Sequence, residues 1–214
     1  MISTFYDRRQ AGELLAHRLT ALAGKRPGWV IALPRGGVPV GAMIAQALGW
    51  PLDVWPVRKL GVPTQPELAM GAIALPDTQI LNTALIRRLE ITPDQVAAII
   101  QTETQELHRR DRLYRAGRPP PHLKDQPVIL VDDGLATGAT LQAVIVALRP
   151  YHPAQITVAV PVAAAESLTT LKALVEHTVC LTTPPNLGSI SQWYVNFEAV
   201  EDQTVIALLR RHQA

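Results

Sequence analysis

Residues 128–140, VILVDDGLATGAT, join a short apolar run to two adjacent acids and a Thr-Gly-x-Thr turn. The run 128–131 is continuous and rich in β-branched side chains, a pattern typical of a strand buried on both faces of a parallel sheet. The acids follow this strand, and in open α/β sheets ligands collect at the carboxyl ends of strands. The stretch therefore predicts both a parallel sheet and a ligand site at its edge.

The side chains of this stretch divide into two chemical halves. Asp132 and Asp133 only accept hydrogen bonds when ionised, so they suit the two hydroxyls of a ribose or a hydrated magnesium ion. The turn behind them offers amide and hydroxyl donors to a phosphate, beside the positive end of a helix that begins near Ala139. Its donors come from Gly134, Thr137, Gly138 and Thr140. Together the halves fit ribose 5-phosphate, and the alternative is a strand, turn and capped helix with a structural role alone.

At these residues the chain resembles the type I phosphoribosyltransferases, whose signature is an apolar strand, two acids and a TGxT-type loop that binds phosphoribosyl pyrophosphate (PRPP). The resemblance implies that Asp132 and Asp133 hold the ribose hydroxyls and magnesium, directly or through water, and that Asp133 positions the sugar during catalysis. It also implies that residues 136–140 bind the 5-phosphate. Ala136 stands where hypoxanthine-guanine enzymes carry an Asp that contacts the purine, whereas adenine-type enzymes have Ala there.

The composition indicates a single domain over residues 1–214. A chain of 214 residues with 48% hydrophobic content can bury a sizeable core, and a net charge of +2 gives little support for a nucleic-acid surface. The first ten residues lack a signal-like apolar segment, and no stretch approaches about 18 uninterrupted apolar residues. We therefore expect a cytoplasmic protein with no membrane partner. The only cysteine, Cys180, lies in an apolar run and is interpreted as a small core residue.

Apolar spacing alternates between strand and helix periods along the chain, which predicts an α/β fold. A first helix over 7–23 begins at Asp7-x-x-Gln10 and places Leu14, Leu15, Leu19 and Leu22 on one face. Further helices are predicted at 38–48, 92–117, 139–148 and 164–175, and strands at 29–33, 53–57, 71–75, 78–81, 128–131, 156–162 and 178–182. The resemblance implies a Rossmann-like, mainly parallel sheet flanked by helices, with a helical insertion over about 83–126 and a C-terminal hood over about 183–214.

The turn after the first strand, ALPRGGVPVG at 32–41, is a second candidate site. Arg35 offers a fork of donors, while Gly36 and Gly37 permit unusual backbone angles before a helix begins. A tight turn or a dinucleotide-binding fold would also use such glycines, but the latter wants an acid after the second strand, where Arg58 and Lys59 stand. In the resembled family this loop binds pyrophosphate, often through a non-proline cis peptide.

Residues 58–71, RKLGVPTQPELAMG, are punctuated by Pro and Gly and are predicted to form a mobile loop at the ligand-binding edge. Such a lid would exclude water from the reaction. By resemblance to the flexible loop of adenine-type enzymes, Arg58 and Lys59 contact pyrophosphate, and Glu67 approaches the incoming base as a catalytic residue. The alternative for Glu67 is a solvated loop carboxylate.

Each of two later segments has two alternative interpretations. The helix 92–117 starts at Thr92-Pro-Asp-Gln95, and its charged side chains either face the site or are solvated, the solvated interpretation being favoured. These charged residues are Glu103, Glu106, Arg109, Arg110, Arg112 and Arg115. Three C-terminal aromatic residues either form a hood over a base or fill a small core, which is favoured. They are Trp193, Tyr194 and Phe197.

The function that these residues and the resemblance together imply is transfer of ribose 5-phosphate from PRPP to a nitrogen nucleophile, with release of pyrophosphate. The resemblance implies Mg²⁺ as cofactor, a nucleobase as acceptor, a role in nucleotide metabolism and a homodimer. Arg35, Arg58, Lys59 and magnesium would stabilise the leaving group. The alternative is a regulatory protein that senses PRPP without catalysis, and a nucleotide-dependent oxidoreductase comes third because the ribose-binding acid is missing.

Overall fold

The structure, a computed structural model, describes residues 4–21 and 27–212. Helices and strands alternate along most of these residues. In chain order the elements are α1 Arg8–Thr20, β1 Trp29–Ala32, α2 Gly37–Leu48, β2 Leu52–Val54, β3 Val57–Val62, β4 Gln65–Ala74, β5 Thr78–Leu81, α3 Thr83–Arg88, α4 Pro93–Arg115, β6 Pro127–Val131, α5 Ala139–Leu148, β7 Gln155–Val162, α6 Ala165–Lys172, β8 His177–Thr182 and α7 Asp202–Arg211. Short 3-10 turns lie at Arg149–Tyr151 and Ile190–Trp193.

The main sheet is parallel and has the strand order β2-β1-β6-β7-β8. Its central strands are buried on both faces, as the continuous apolar run 128–131 predicts. Ile31 and Leu130 pack on the side of α5, whereas Val30 and Ile129 pack on the side of α1, α2 and α7. The predicted fold class, a mainly parallel sheet flanked by helices, is confirmed.

Helix α1 begins as its sequence predicts. The Asp7 carboxylate accepts a hydrogen bond from the Gln10 amide, and the Gln10 side chain accepts one from the Tyr6 amide. Leu15 and Leu19, one helical turn apart, are buried against the sheet. Leu14 is 38% exposed, so its predicted place on the buried face is wrong, because it lies about 100° around the helix from Leu15.

The predicted extent of α1 also needs one correction. The helix ends at Thr20, and Ala21 is its C-cap. The predicted end at residue 23, including Leu22, lies outside the described residues.

A second, antiparallel sheet with the order β3-β4-β5 replaces the mobile loop predicted at 58–71. Leu60, Val62 and Met70 are buried against α4, and this burial outweighs the Pro and Gly punctuation that suggested a loop. Gly61 sits at a register shift, and a Cβ there would lie 2.6 Å from the Pro66 carbonyl oxygen. The predicted hairpin of 71–75 and 78–81 is confirmed as part of this sheet, with β4 beginning earlier, at Gln65.

Helix α4 covers the antiparallel sheet. Its capping box forms as predicted, since the Thr92 side chain accepts from the Gln95 amide and the Gln95 side chain accepts from the Thr92 amide. The solvated interpretation is wrong for Arg115, which is only 4% exposed at the end of the helix. Neither α4 nor any other helix of the described residues is long and apolar enough to cross a membrane.

Arg115 fastens α4 to the edge of the main sheet. Its Nη2 donates to the Val54 carbonyl oxygen over 2.8 Å, and its guanidinium lies 5.3 Å from the centre of the Trp55 ring. Burial raises the pKa of Asp53 above its usual range, and the charge of Arg115 is the largest effect that opposes this rise. The guanidinium therefore serves both the packing of the helix and the charge balance of β2.

We predict that Arg115→Met lowers the free energy of unfolding by about 3–5 kcal/mol at neutral pH, because it removes the main cation near the buried Asp53 carboxylate. The loss should shrink as the pH falls through the raised pKa of Asp53, since the protonated carboxyl no longer needs a partner. Urea unfolding at neutral and mildly acidic pH measures both effects. Arg112→Met, an exposed change on the same helix, is the control, and equal losses in the two variants would contradict this role.

Candidate functional site

The two predicted loops meet at the carboxyl edge of the main sheet. The Leu33 amide donates to the Val131 carbonyl oxygen over 2.9 Å, and the Pro34–Arg35 peptide bond that follows is cis. A Cβ at Gly36 would collide with the Asp133 carboxylate, and one at Gly37 would lie 2.7 Å from the Val131 carbonyl oxygen. Because only glycine fits this approach, the backbone of the first loop borders the acids directly.

The turn that follows the acids is fixed from both sides. Gly138 caps α5 with a φ of 79°, a left-handed conformation that strains other residues. The Ser167 hydroxyl donates to the Ala136 carbonyl oxygen over 2.5 Å, and the Leu135 amide donates to the Val162 carbonyl oxygen. Ala136 and Thr137 are exposed, while Ala139 and Thr140 are half-buried. The turn thus presents an accessible helix N-terminus, the arrangement that binds anions.

The carboxyl groups of Asp132 and Asp133 have raised pKa values. Burial is the main cause for both, and the neighbouring Asp133 charge raises the pKa of Asp132 further. The Asp133 amide donates to the Asp132 carboxylate over 2.9 Å and opposes this effect. Two acids held this closely need donors or cations to ionise fully.

One cation already lies beside the pair. The Arg8 Nε donates to Asp133 Oδ2 over 2.8 Å, while its Nη1 donates to the Glu198 carbonyl oxygen over 2.8 Å. The guanidinium also stacks 3.7 Å from the centre of the Phe197 ring. Sequence reasoning missed Arg8 because it stands 125 residues from Asp133, and nothing near it in the chain indicates the contact.

The C-terminal segment packs onto the same edge. The Tyr194 hydroxyl donates to the Asp133 carbonyl oxygen over 2.7 Å, and its ring packs with Phe5 and Phe197. A Cβ at Gly134 would lie 2.5 Å from the Ile190 side chain. The three C-terminal aromatic residues belong to a small core, as favoured, and this core supports the site.

Arg35 follows the cis peptide, but its side chain turns towards α4 and α7. Its Nη1 lies 3.7 Å from Asp202 Oδ1, which accepts a hydrogen bond of 2.5 Å from the Tyr114 hydroxyl. Arg109 donates to the other Asp202 oxygen over 3.3 Å. Partial burial opposes ionisation, yet the bonds from Tyr114 and Arg109 lower the pKa of Asp202 below its usual range. The Arg35 guanidinium therefore lies beside a carboxylate whose ionised form is favoured by its partners.

The remaining predicted site residues line a cleft of about 380 Å³ between β3, β4 and α4. Arg58 and Lys59 are neighbours on β3, and both side chains border this cleft. Arg58 donates to Glu103 of α4 over 2.5 Å, and Lys59 Nζ donates to the Glu67 side chain over 3.3 Å. Glu67 is fully exposed, whereas Glu103 is half-buried. These residues find their partners within the antiparallel sheet and α4, and not in the turn at 132–140.

The acids are the candidate ligands for magnesium. Within residues 4–21 and 27–212 no cluster of three or more His, Cys, Asp or Glu side chains could hold a metal ion. Mg²⁺ keeps several waters and commonly binds through one or two carboxylates together with substrate phosphates. Asp132 and Asp133 fit an ion that arrives with a phosphorylated ligand.

Comparisons with known proteins agree with this geometry. A family model described as a phosphoribosyl transferase domain matches residues 4–185. A Mycobacterium tuberculosis protein named "putative phosphoribosyl transferase" is 40% identical over 207 residues, which cover 97% of this chain and 46% of the relative. The chain thus spans about half the length of the curated relatives it matches.

Solved structures extend the comparison to the whole described fold. The crystal structure of TT1426 from Thermus thermophilus is 36% identical, with a TM-score of 0.80, and the match covers 99% of this chain and 100% of that one. A hypoxanthine-guanine phosphoribosyltransferase from Bacillus anthracis, 13% identical with a TM-score of 0.50, covers 85% of this chain and 83% of its own, and is similar in fold alone. The family-model match over residues 4–185 establishes that the chain belongs to the phosphoribosyl transferase family.

Proposed function

We propose that this chain uses PRPP as a donor and transfers ribose 5-phosphate to a nitrogen nucleophile, releasing pyrophosphate. The observation that carries the proposal is the pair Asp132–Asp133 at the carboxyl end of β6, directly followed by the anion-binding turn and bordered by Gly36. Hydrogen-bond acceptors for hydroxyls and hydrogen-bond donors for a phosphate thus lie a few residues apart. A ligand that carries a ribose and a 5-phosphate matches both halves.

Each half of the site has a role in this proposal. Asp132 and Asp133 accept hydrogen bonds from the ribose hydroxyls, while the turn 136–140 and the N-terminus of α5 bind the 5-phosphate. The backbone at Gly36 and Gly37 approaches the pyrophosphate. Bound Mg²⁺ would neutralise part of the pyrophosphate charge, and Asp132 and Asp133 would hold it directly or through water.

Departure of pyrophosphate leaves positive charge on the sugar, so catalysis would consist mainly of positioning and electrostatic stabilisation. Asp133 lies nearest to that charge in this assignment. Lys59 is better placed than Arg58 to move towards pyrophosphate, because its partner Glu67 is fully exposed and water weakens their pairing. Glu67, once released from Lys59, would be free to approach the acceptor.

We also propose an acceptor, a metabolic role, a location and an oligomeric state for this chain. A nucleobase acceptor, a role in nucleotide metabolism, a cytoplasmic location and a homodimer follow the family expectation. Ala136 provides no polar group to select a purine. The single-domain organisation over 1–214, with an insertion at about 83–126 and a hood at about 183–214, belongs to the same proposal.

We predict that the double variant Asp132→Asn/Asp133→Asn binds PRPP and magnesium about 100-fold or more weakly than wild type, because each amide replaces a charged acceptor. Isothermal titration calorimetry measures the change. Asp125→Asn is the matched control, since Asp125 is exposed and its φ of 57° suits asparagine. Equal affinity in the double variant and the wild type would refute the donor site.

Pyrophosphate release across a panel of nucleobases tests catalysis itself. We expect release with one class of base and loss of that release in Lys59→Gln, because a neutral side chain cannot stabilise the leaving group. The control is Lys124→Gln, which removes an exposed cation far along the chain from Lys59. PRPP binding by wild type without release on any base would support the sensing protein instead.

A further inference from the structure

Arg8 joins three separate segments at the candidate donor site. It is the first residue of α1, its Nε binds the Asp133 carboxylate, and its Nη1 binds the Glu198 carbonyl oxygen. Its guanidinium covers the Phe197 ring at 3.7 Å. The side chain is only 11% exposed, so this arrangement is a packed part of the fold rather than a surface ion pair.

We propose that Arg8 is a positioning residue, which orients the Asp133 carboxylate for the ribose and couples it to the hood segment 190–198. This inference rests on the proposed function, because it assigns Asp133 to the sugar of the donor. Arg8 itself acts through Asp133 and is not assigned a contact with the ligand.

The geometry explains how one side chain performs both tasks. The Nε bond engages Oδ2 and thereby fixes the rotation of the carboxylate, which leaves Oδ1 for a ligand hydroxyl. The planar guanidinium can hold this bond, a carbonyl oxygen and an aromatic face at once. A lysine would keep the charge, but it lacks the rigid fork of donors and the planar stacking surface.

The hood holds Asp133 from the other side. The Tyr194 hydroxyl donates to the Asp133 carbonyl oxygen, while the Phe5 amide donates to the Trp193 carbonyl oxygen over 2.8 Å. The Val195 amide donates a hydrogen bond to the Phe5 carbonyl oxygen over 2.8 Å. Asp133 is therefore held at its side chain by α1 and at its backbone by the hood, and a shift of either segment would move the carboxylate.

Arg9 provides a matched control within the same helical turn. Its side chain is 74% exposed and pairs with Glu13, four residues along the helix. Arg8→Gln and Arg9→Gln remove the same charge from the start of α1, so their effects on the helix dipole should be similar. Only the first change breaks the contacts with Asp133 and the hood.

The test combines calorimetry with hydrogen exchange. We expect Arg8→Gln to weaken binding of PRPP with magnesium about tenfold, Arg8→Lys to restore part of the loss, and Arg9→Gln to change nothing. Ribose 5-phosphate should bind more weakly, as PRPP does, whereas inorganic pyrophosphate without magnesium should bind as it does to wild type, because without the metal it does not depend on the Asp133 carboxylate. Backbone amides of 190–198 should exchange faster in Arg8→Gln than in Arg9→Gln.

A fourth variant separates positioning from simple loosening of the hood. Phe197→Leu removes the stacking surface but keeps the Arg8–Asp133 pair, so it should speed exchange in the hood with a smaller loss of ribose 5-phosphate affinity. Equal losses in Phe197→Leu and Arg8→Gln, or a parallel loss of pyrophosphate affinity, would overturn the positioning role. Tighter PRPP binding by Arg8→Gln would also overturn it, because Arg8 would then occlude the ligand.

Failure of the inference and failure of the proposed function give different results. Wild-type protein that binds PRPP no better than the Asp132→Asn/Asp133→Asn variant would refute the donor site. Wild-type binding that Arg8→Gln leaves intact would refute only the role of Arg8. If Arg8→Gln does not fold, Arg8→Lys keeps the charge and carries the same comparison against Arg9→Lys.

Discussion

The site depends on two adjacent carboxylates that a buried strand delivers to the edge of the sheet. Burial raises the cost of ionising both Asp132 and Asp133, and the charge of Asp133 raises it further for Asp132, so the surrounding structure must offset that cost. The Asp133 amide and Arg8 do so in part. Each carboxylate has roughly four lone-pair sites, which one amide and one guanidinium cannot fill, and this leaves capacity for a ligand that brings hydroxyls and a cation.

The need to stabilise these two carboxylates explains why distant segments of the chain meet at Asp132 and Asp133. Gly36 must lack a side chain because the first loop passes against the Asp133 carboxylate, and Gly134 must lack one because Ile190 of the C-terminal segment packs onto it. The first helix contributes Arg8, and the C-terminal segment contributes Tyr194. Although the acids and the turn form one continuous stretch of sequence, their environment is assembled from both ends of the described chain.

The continuous stretch could be predicted from the sequence, whereas the contacts from distant segments could not. The stretch 128–140 and the parallel sheet were predictable because strand burial, helix capping and turn chemistry are local properties. Arg8 was not, since its bond to Asp133 depends on tertiary packing across 125 residues. The segment 58–71 was wrongly predicted as a loop because Leu60 and Val62 are stabilised by α4, a helix that follows much later in the chain. For the same reason the pairing of Arg58 with Glu103 had no signal near either residue.

The orientation of Arg35 changes how the first loop is understood. A fork of donors after the first strand predicts a contact with pyrophosphate, and in the structure the Arg35 guanidinium lies 3.7 Å from Asp202, on the side of α4 and α7. Tyr114 and Arg109 keep Asp202 ionised, so releasing Arg35 would leave a half-buried carboxylate with one partner fewer. The backbone at Gly36 is the part of the loop that borders the Asp133 carboxylate. The Arg35–Asp202 pair would anchor that backbone, and through Tyr114 it connects the loop to the long helix of the insertion.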